Sequence, residues 1–152
     1  MQSNSRHILS FVVILMMVVS AFAFIPSVKG EASLNTTLEG YYNQYSFASV
    51  NGTAEYDITL VNDGDVDFDT VSLTASFQDE SWLGQNVTFS NASDSNNETF
   101  SLSLVSGALS QVHVSVHVGN GVKIDFAEVP LNININADGT ESNIIAIVCV
   151  TN

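Results

Sequence analysis

The sequence predicts an all-β domain, an antiparallel β-sandwich of roughly seven to nine strands that follows an N-terminal apolar segment. Three observations point to this class. Apolar and polar residues alternate with a period of two in many short runs. Turn-forming residues separate those runs at intervals of roughly eight to twelve residues. Beyond the apolar segment no run has helical periodicity, and a closed barrel is the alternative that the same pattern leaves open.

Period-two alternation locates the individual strands. The run at 54–60 places Ala, Tyr, Ile and Leu on one face and Glu, Asp and Thr on the other. Similar runs predict strands at 71–77, 87–89, 100–104, 112–118, 122–126 and 131–136. A run that is apolar on both faces predicts a strand at 143–150, and the tyrosine-rich stretch 31–50 predicts one or two short edge strands.

Two strand pairings are predicted from these runs. The strands at 54–60 and 71–77 are expected to be neighbours in one sheet, with their apolar faces turned the same way. The stretch 112–129 predicts a β-hairpin whose three-residue loop Gly-Asn-Gly keeps like faces together, with Gly121 free to adopt a positive φ. Its expected register sets Val118 opposite Val122, Val116 opposite Ile124 and Val114 opposite Phe126.

Residues 1–30 have the layout of a secretory signal peptide. A polar start with Arg6 precedes an apolar run at 8–25, and small or polar residues follow Pro26. Cleavage is expected after Ala23 or after Gly30. The alternative is an uncleaved membrane anchor, because the apolar run is about long enough to cross a bilayer. In both cases Arg6 directs the chain outward, so 31–152 is expected to form one domain that is extracellular or at the cell surface.

The charge of the chain restricts its partners. The formal net charge is −13, and all 16 acidic residues follow position 30, where Lys123 is the single Lys or Arg; 16 acids against one lysine give that part a net charge of −15. Such a surface repels phosphate backbones and anionic lipid headgroups. The sequence therefore argues against a nucleic-acid partner, and it restricts membrane contact to the N-terminal segment if that segment is not cleaved.

Two stretches resemble known families. The run ITLVNDG at 58–64, followed by apolar residues at 68, 71, 73 and 77, resembles the strand–N-x-G–strand pattern of immunoglobulin-like surface modules of the CARDB and FxLYD types. The run SLSLVSGALSQVHVSVHV at 101–118 resembles the middle of late-embryogenesis-abundant type 2 domains, which have a similar sandwich. The resemblance implies an immunoglobulin-like β-sandwich that packs or binds outside the cell, and it brings no catalytic residues.

Sequons for N-linked glycosylation are a first set of candidate sites. They fall mostly in the predicted turns and loops, where a bulky glycan is tolerated. The candidate asparagines are Asn35, Asn51, Asn86, Asn91 and Asn97.

Alternating carboxylates form a second candidate site. Asp63, Asp65, Asp67 and Asp69 supply the oxygen ligands that Ca²⁺ prefers. An EF-hand is excluded because glycine and glutamate are missing from the positions where its loop requires them. An irregular calcium site and a solvated acidic turn are the two interpretations, and no other cofactor is predicted.

Aromatic residues form a third candidate site. Trp82, Tyr41, Tyr42 and Tyr45 could provide a platform for sugars or for a partner protein, and the alternative is that they cover an edge of the sandwich.

His113 and His117 share a polar strand face, with Lys123 and Asp125 opposite them in the predicted hairpin. They lie about 13 Å apart on a strand, too far to ligate one zinc ion together. An ordinary polar face is expected.

The C-terminal strand contains the single cysteine, Cys149, so the chain forms no intramolecular disulfide. Cys149 is expected to be a small core residue, with an intermolecular disulfide as the alternative. The strand is apolar on both faces, which predicts a central strand covered on both sides. Donation of this strand to a neighbouring subunit is the alternative.

Together these features predict a secreted or cell-surface adhesion or interaction module that is not an enzyme and binds a surface protein or a glycan. A structural subunit of a surface filament or surface layer, assembled by strand exchange, is the second hypothesis. A calcium- or carbohydrate-binding domain is the third. A homo-oligomer is compatible with each of them.

Overall fold

The computed structural model describes residues 30–78, 86–92, 94–97, 99–119 and 126–151. These residues form ten β-strands in two sheets. The strands are β1 (Leu34–Glu39), β2 (Tyr45–Ser49), β3 (Thr53–Asn62), β4 (Phe68–Phe77), β5 (Asn86–Ser90), β6 (Ser95–Asn97), β7 (Thr99–Leu104), β8 (Leu109–His117), β9 (Phe126–Ala137) and β10 (Thr140–Thr151).

The strand order is that of an immunoglobulin-like sandwich. Sheet 1 has the order β1-β3-β8-β5-β6, and all its neighbours are antiparallel. Sheet 2 has the order β2-β10-β9-β4-β7 and is antiparallel except for β2, which runs parallel to β10. The orders β1-β3-β8-β5 and β10-β9-β4 correspond to the ABED and CFG sheets of that fold. The additional strands are β2, β6 and β7, and β7 pairs with β4 although β5 and β6 precede it in the chain.

The inner faces of the two sheets form one hydrophobic core. Alternation places every second side chain of a strand inward, and in β3 those are Ala54, Tyr56, Ile58 and Leu60, all fully buried. Val112, Val114 and Val116 occupy the same positions in β8, as do Leu131, Ile133 and Ile135 in β9. Each buried aliphatic side chain of this size contributes about 1.5–3 kcal/mol to the free energy of unfolding.

The predicted all-β class is confirmed, because the described residues form two mostly antiparallel sheets, but they contain ten strands and not the seven to nine predicted. The tyrosine-rich stretch supplies β1 and β2, which are edge strands of different sheets. Asp138 and Gly139 form the two-residue turn between β9 and β10 with φ of 47° and 93°, as a primed hairpin turn requires. No described residue is helical, so none belongs to an apolar helix long enough to cross a membrane; residues 1–29 lie outside the described part.

The predicted hairpin at 112–129 is wrong. Strand β8 pairs with β3 on one side and with β5 on the other, so Val116 faces Ala54 and Val87. Strand β9 belongs to sheet 2, where Phe126 pairs with Thr151. The chain crosses the sandwich between these strands, and 120–125 lie outside the described residues. Both strands still turn their apolar faces inward, which is why alternation did not distinguish a hairpin from a crossing.

The predicted pairing of the strands at 54–60 and 71–77 is wrong for the same reason. Strand β3 lies in sheet 1 and β4 in sheet 2. Their apolar faces meet across the core, and the loop between them connects the two sheets.

The C-terminal strand differs from its prediction in one respect. Strand β10 lies between β2 and β9, so both of its edges are paired. Its inward residues Ala146, Val148 and Val150 are fully buried, but Ile145 on the outer face is 43% exposed. No further layer covers this side chain among the described residues, so the prediction of cover on both sides is wrong.

Candidate functional site

The acidic loop, residues 63–67 between β3 and β4, is held in place by the side chain of Asn62. Its Nδ2 donates hydrogen bonds to the carbonyl oxygens of Val66 at 2.8 Å and Leu104 at 3.0 Å. Its Oδ1 accepts one from the backbone N–H of Gly64 at 3.2 Å. Asn62 is fully buried, and a buried amide is stabilising only when it is hydrogen-bonded in this way. The Asn-Asp-Gly run is a sequence signal for a turn, but the hydrogen bonds of Asn62 to a distant strand have no signal in the sequence.

Glycine at position 64 is required by a close backbone approach. A Cβ there would lie 2.3 Å from the carbonyl oxygen of Glu31 and 2.6 Å from the nitrogen of Ser33. The segment before β1 crosses the acidic loop here, and Asp65 donates its backbone N–H to the carbonyl of Glu31 at 3.0 Å.

The carboxylates predicted to bind calcium serve different contacts. Asp67 Oδ1 accepts the backbone N–H of Ser106 at 2.7 Å, which ties the acidic loop to the turn before β8. Asp63 and Asp65 line an open cleft of about 340 Å³ together with Glu31. Asp69 lies in β4, outside the cleft. Across the described ranges no three carboxylate, imidazole or thiolate groups are grouped so that they could hold a metal ion. Both interpretations of these residues, an irregular calcium site and a solvated acidic turn, stay predictions.

Asp138, in the turn between β9 and β10, is a carboxylate outside the candidate sites that the sequence indicated. Its two oxygens accept the backbone N–H groups of Asp69 and Thr70, each at 2.9 Å. The pairing of β4 with β7 shifts register at this point, so two donors of an irregular segment are satisfied by one side chain.

The aromatic edge consists of Tyr41, Tyr42 and Phe47, at the place where the chain leaves sheet 1 and enters sheet 2. Their side chains are 84%, 70% and 48% exposed. The rings of Tyr41 and Phe47 are in edge-to-face contact, with centroids 5.8 Å apart. Together with Ser46 they line an open cavity of about 410 Å³. Phe47 was not among the predicted platform residues, because an alternating Phe is the ordinary signal of a core position.

The other two predicted platform residues lie elsewhere. Tyr45 is half-buried in β2, where it pairs with Ile147. Trp82 lies outside the described residues.

Tyr56 links the two sheets directly beneath the aromatic edge. It belongs to β3, and its hydroxyl donates a hydrogen bond to the carbonyl oxygen of Ile147 in β10 at 2.7 Å. Burial raises the pKa of Tyr56 well above its ordinary value, with a smaller contribution from Cys149. The neutral, hydrogen-bonded phenol is therefore the form that the folded state favours.

Cys149 is buried on β10, next to Phe47 in β2 and Glu128 in β9. Burial raises the pKa of its thiol, and the negative charge of Glu128 adds to the effect. The side chain faces away from the main core, on the outer side of sheet 2.

The two histidines occupy an outer face of sheet 1. His113 Nδ1 lies 2.9 Å from Asp57 Oδ1, an exposed contact between β8 and β3. His117 lies opposite Thr53 and Asn86. The predicted opposition of Lys123 and Asp125 followed from the hairpin and is wrong with it, since β3 and β5 occupy both edges of β8.

The sequons lie on sheet 1 and in turns. Asn35 in β1 and Asn86 in β5 are exposed, and Asn97 in β6 pairs with Thr88. Asn51 is in the turn between β2 and β3, and Asn91 is in the turn between β5 and β6. The prediction that these asparagines fall mostly in turns is corrected, because three of them belong to strands.

The fold is shared with solved structures, whereas no family model and no curated protein matches the chain. A family 123 glycoside hydrolase from Clostridium perfringens aligns with a TM-score of 0.53 at 14% identity, over 78% of this chain and 27% of that chain. AvmM, which catalyses macrocyclization in alchivemycin A biosynthesis, aligns with a TM-score of 0.50 at 11% identity, over 80% and 89%. The CARDB domain of PF1109 from Pyrococcus furiosus gives a TM-score of 0.46 at 12% identity, over 80% and 96%.

At 14% and 11% identity, the alignments with the glycoside hydrolase and with AvmM show a shared fold and nothing about function. The TM-score of 0.46 for the CARDB domain is too low to support a conclusion. This chain spans about a quarter of the length of the glycoside hydrolase.

Proposed function

We propose that this chain is a surface module, exported by its N-terminal segment, that binds a protein or glycan partner through the aromatic edge and does not catalyse a reaction. The domain stays outside the cell, either released or held by an uncleaved anchor. The layout of residues 1–30 supports export, and the exposed sequons at Asn35 and Asn86 are compatible with an extracellular location.

The observation that carries this proposal is the exposure of the aromatic edge. Tyr41 and Tyr42 are among the most exposed large hydrophobic residues described, although the core beneath them is closed. Burying an aromatic side chain is strongly favourable, and tyrosine is enriched among the residues that dominate binding interfaces. Three such side chains outside a complete core are therefore best explained by a partner that covers them.

The acidity of the domain restricts this partner further. Its net charge is −15 after residue 30. A partner with an anionic surface would be repelled, so the aromatic edge favours an uncharged or basic surface.

Strand exchange, the second hypothesis, is less well supported. Strand β10 is paired on both edges within its own chain, and its inward residues contribute to its own core. Donation would require this strand to leave that core and expose Ala146, Val148 and Val150.

The proposal is tested by locating the protein and measuring its binding to cells. Intact source cells are treated with an impermeant protease, and the purified protein is added to untreated cells and its bound fraction measured. We expect the protease to remove the domain, and we expect the double variant Tyr41→Ser, Phe47→Ser to bind at least tenfold more weakly than the parent. The matched control is Leu109→Ser, which removes an exposed apolar side chain of sheet 1.

Two results would overturn the proposal. One is a domain that stays intact until the cells are lysed. The other is binding that the aromatic variants leave unchanged while Leu109→Ser reduces it. Competition with soluble neutral sugars in the same assay separates a glycan partner from a protein partner.

A further inference from the structure

The outer face of sheet 2, called here the neutral face, is almost free of charge. It consists of the outward side chains of β2, β10, β9, β4 and β7. Along β9 these positions hold asparagine and proline, and β4 and β7 supply serine and threonine. Three charged side chains are exposed at described positions of these strands: Glu128, Glu141 and Asp69. Glu128 and Glu141 lie eight positions apart in the β9–β10 register, about 27 Å, at opposite ends of the face, and Asp69 lies beside Asp138 at the Glu141 end.

The outer face of sheet 1 has the opposite character. Glu39 and Asp57 are direct partners in the register of β1 and β3, and Glu55 lies two positions further along β3. Asn35 and Asn86, two of the sequon asparagines, also point outward on this sheet. A glycan on either residue would cover sheet 1 and leave the neutral face open. A nearly uncharged outer face on sheet 2 is unexpected in this domain, because the chain has 16 acidic residues and one lysine after position 30.

The neutral face is arranged in rows that run across its strands. One row contains Thr99, Thr74, Asn134 and Asn143, from β7 to β10. The rows nearer the aromatic edge are mainly apolar: Pro130, Ile147 and Tyr45 form one, and the next contains Phe47 and Cys149 together with the carboxylate of Glu128. Ile145, 43% exposed, lies between the two kinds of row.

A face of this composition is complementary to itself. Amide and hydroxyl side chains are donors and acceptors at once, so they can pair with the same groups of a second copy, which carboxylates cannot do. A two-fold axis lying in the interface parallel to the strands would place apolar rows on apolar rows and amide rows on amide rows. The charged faces of both copies would point away from each other.

The size of the face is also sufficient. Five strands at a spacing of about 4.8 Å and five rows about 6.8 Å apart fit within roughly 20 by 30 Å, which is an upper bound because β2 and β7 each reach only some of the rows. The resulting area, roughly 600 Å² before side-chain relief is counted, approaches the approximately 800 Å² that each partner contributes to a standard protein interface. Depletion of charge with enrichment of aromatic residues is the composition found at the centre of such interfaces.

We propose that the partner of the neutral face is a second copy of this chain, so that the module self-associates face to face through sheet 2. This inference rests on the proposed function, because it names the partner of an interaction module. It makes binding homophilic, with Phe47 and Ile145 in the contact and the sequons of sheet 1 outside it.

The test measures the mass of the protein in solution. The full chain is expressed and purified from the medium, or from membranes in mild detergent, and its sedimentation is followed from roughly 1 to 500 µM, a range that resolves a weak dimer. We expect a monomer–dimer equilibrium that strengthens as salt is raised, because salt screens the repulsion between two strongly acidic copies.

Three variants locate the contact. Ile145→Asp and Asn134→Asp each place a carboxylate on the neutral face, and two-fold symmetry brings two such charges into one interface. We expect dimer dissociation constants at least about tenfold higher for both, since like charges brought together across an interface oppose association. Leu109→Asp is the matched control, because it adds the same charge at a residue 62% exposed on sheet 1, and we expect a change of less than about twofold. Circular dichroism and thermal melting verify that each variant is folded. If Ile145→Asp does not fold, the test rests on Asn134→Asp, because that substitution is almost isosteric and its position is exposed.

A folded protein that stays monomeric at every protein and salt concentration would overturn self-association. The proposed function as a surface module would still hold if the cell-binding assay succeeds. A dimer weakened by Leu109→Asp but not by the other two variants would overturn the assignment to sheet 2. Oligomers that grow beyond the dimer would show strand exchange instead. A monomer retarded on a gel of neutral polysaccharide would show that the occupant of the neutral face is a glycan.

Discussion

The acidic loop and the aromatic edge differ in how the fold uses them. The acidic loop has the composition of a ligand site, yet the side chains of Asn62 and Asp67 are engaged in hydrogen bonds to backbone groups of the same chain. The aromatic edge has the composition of a core, yet Tyr41, Tyr42 and Phe47 are exposed. Residue type therefore indicates function less well than the contacts a side chain makes. The side chains that the fold leaves exposed are a better indication of a binding site.

The largest effect is expected at Asn62. Asn62→Asp removes both donors to the carbonyls of Val66 and Leu104 and places a carboxylate in a buried site against two carbonyl oxygens. We expect the free energy of unfolding to fall by about 3 kcal/mol or more, measured by urea denaturation at neutral pH. Gln44→Glu makes the same chemical change at an exposed position and should have little effect. If the two variants are equally stable, the structural role of the acidic loop is wrong.

A smaller effect is expected at Tyr56, the tyrosine whose hydroxyl links the two sheets. Tyr56→Phe removes the hydroxyl that donates to Ile147 and should cost about 1–2 kcal/mol at neutral pH. Because the folded state raises the pKa of Tyr56, the neutral phenol stabilises the fold below the unfolded-state pKa of about 10, and this contribution is lost as the pH rises above it.

The measurement for Tyr56 is urea denaturation between pH 8 and pH 11, a range that spans the ordinary phenol pKa of about 10. The parent should lose stability with rising pH faster than Tyr56→Phe above that value. Cys149 gives a loss of the same sign that begins near its ordinary pKa of 9.0, so the contribution of Tyr56 is the difference between the two curves. Parallel curves throughout this range would contradict the assignment.

A still smaller effect on stability is expected at the aromatic edge. Tyr41→Ser removes a large side chain that is 84% exposed, together with its contact with Phe47. The expected cost is about 0.5–1 kcal/mol, the contribution of one aromatic pair near the surface. Phe89→Ala, at a fully buried position, should cost about 3–5 kcal/mol in the same urea assay. A large loss from Tyr41→Ser would show that the aromatic edge serves folding.

The smallest effect concerns calcium and the acidic loop. Asp67 is committed to the backbone of Ser106, so we expect melting temperatures in millimolar Ca²⁺ and in chelator to agree within about 1 °C. A rise of several degrees in Ca²⁺ that Asp65→Asn abolishes would show that the loop binds the ion. That result would support the calcium interpretation of the acidic loop and remove the contrast between the two regions.

Local pattern predicted much of the fold. The strand at 54–60 was predicted because alternation reports which face of a strand is buried. The sites were less predictable. The role of Asn62 depends on the carbonyl of Leu104, 42 positions away, and the exposure of Phe47 depends on its outward position on an edge strand.

The amino-acid sequence by itself determined that the domain is a sandwich of short strands with an acidic exterior. Those properties follow from side-chain periodicity and charge, which are local. Tertiary structure decided which strands are neighbours. In a sandwich both inner faces are apolar, so a strand has the same pattern whether the next one pairs beside it or crosses to the opposite sheet. The same choice brought the uncharged outer positions of five strands onto one face, a grouping that the order of residues along the chain does not display.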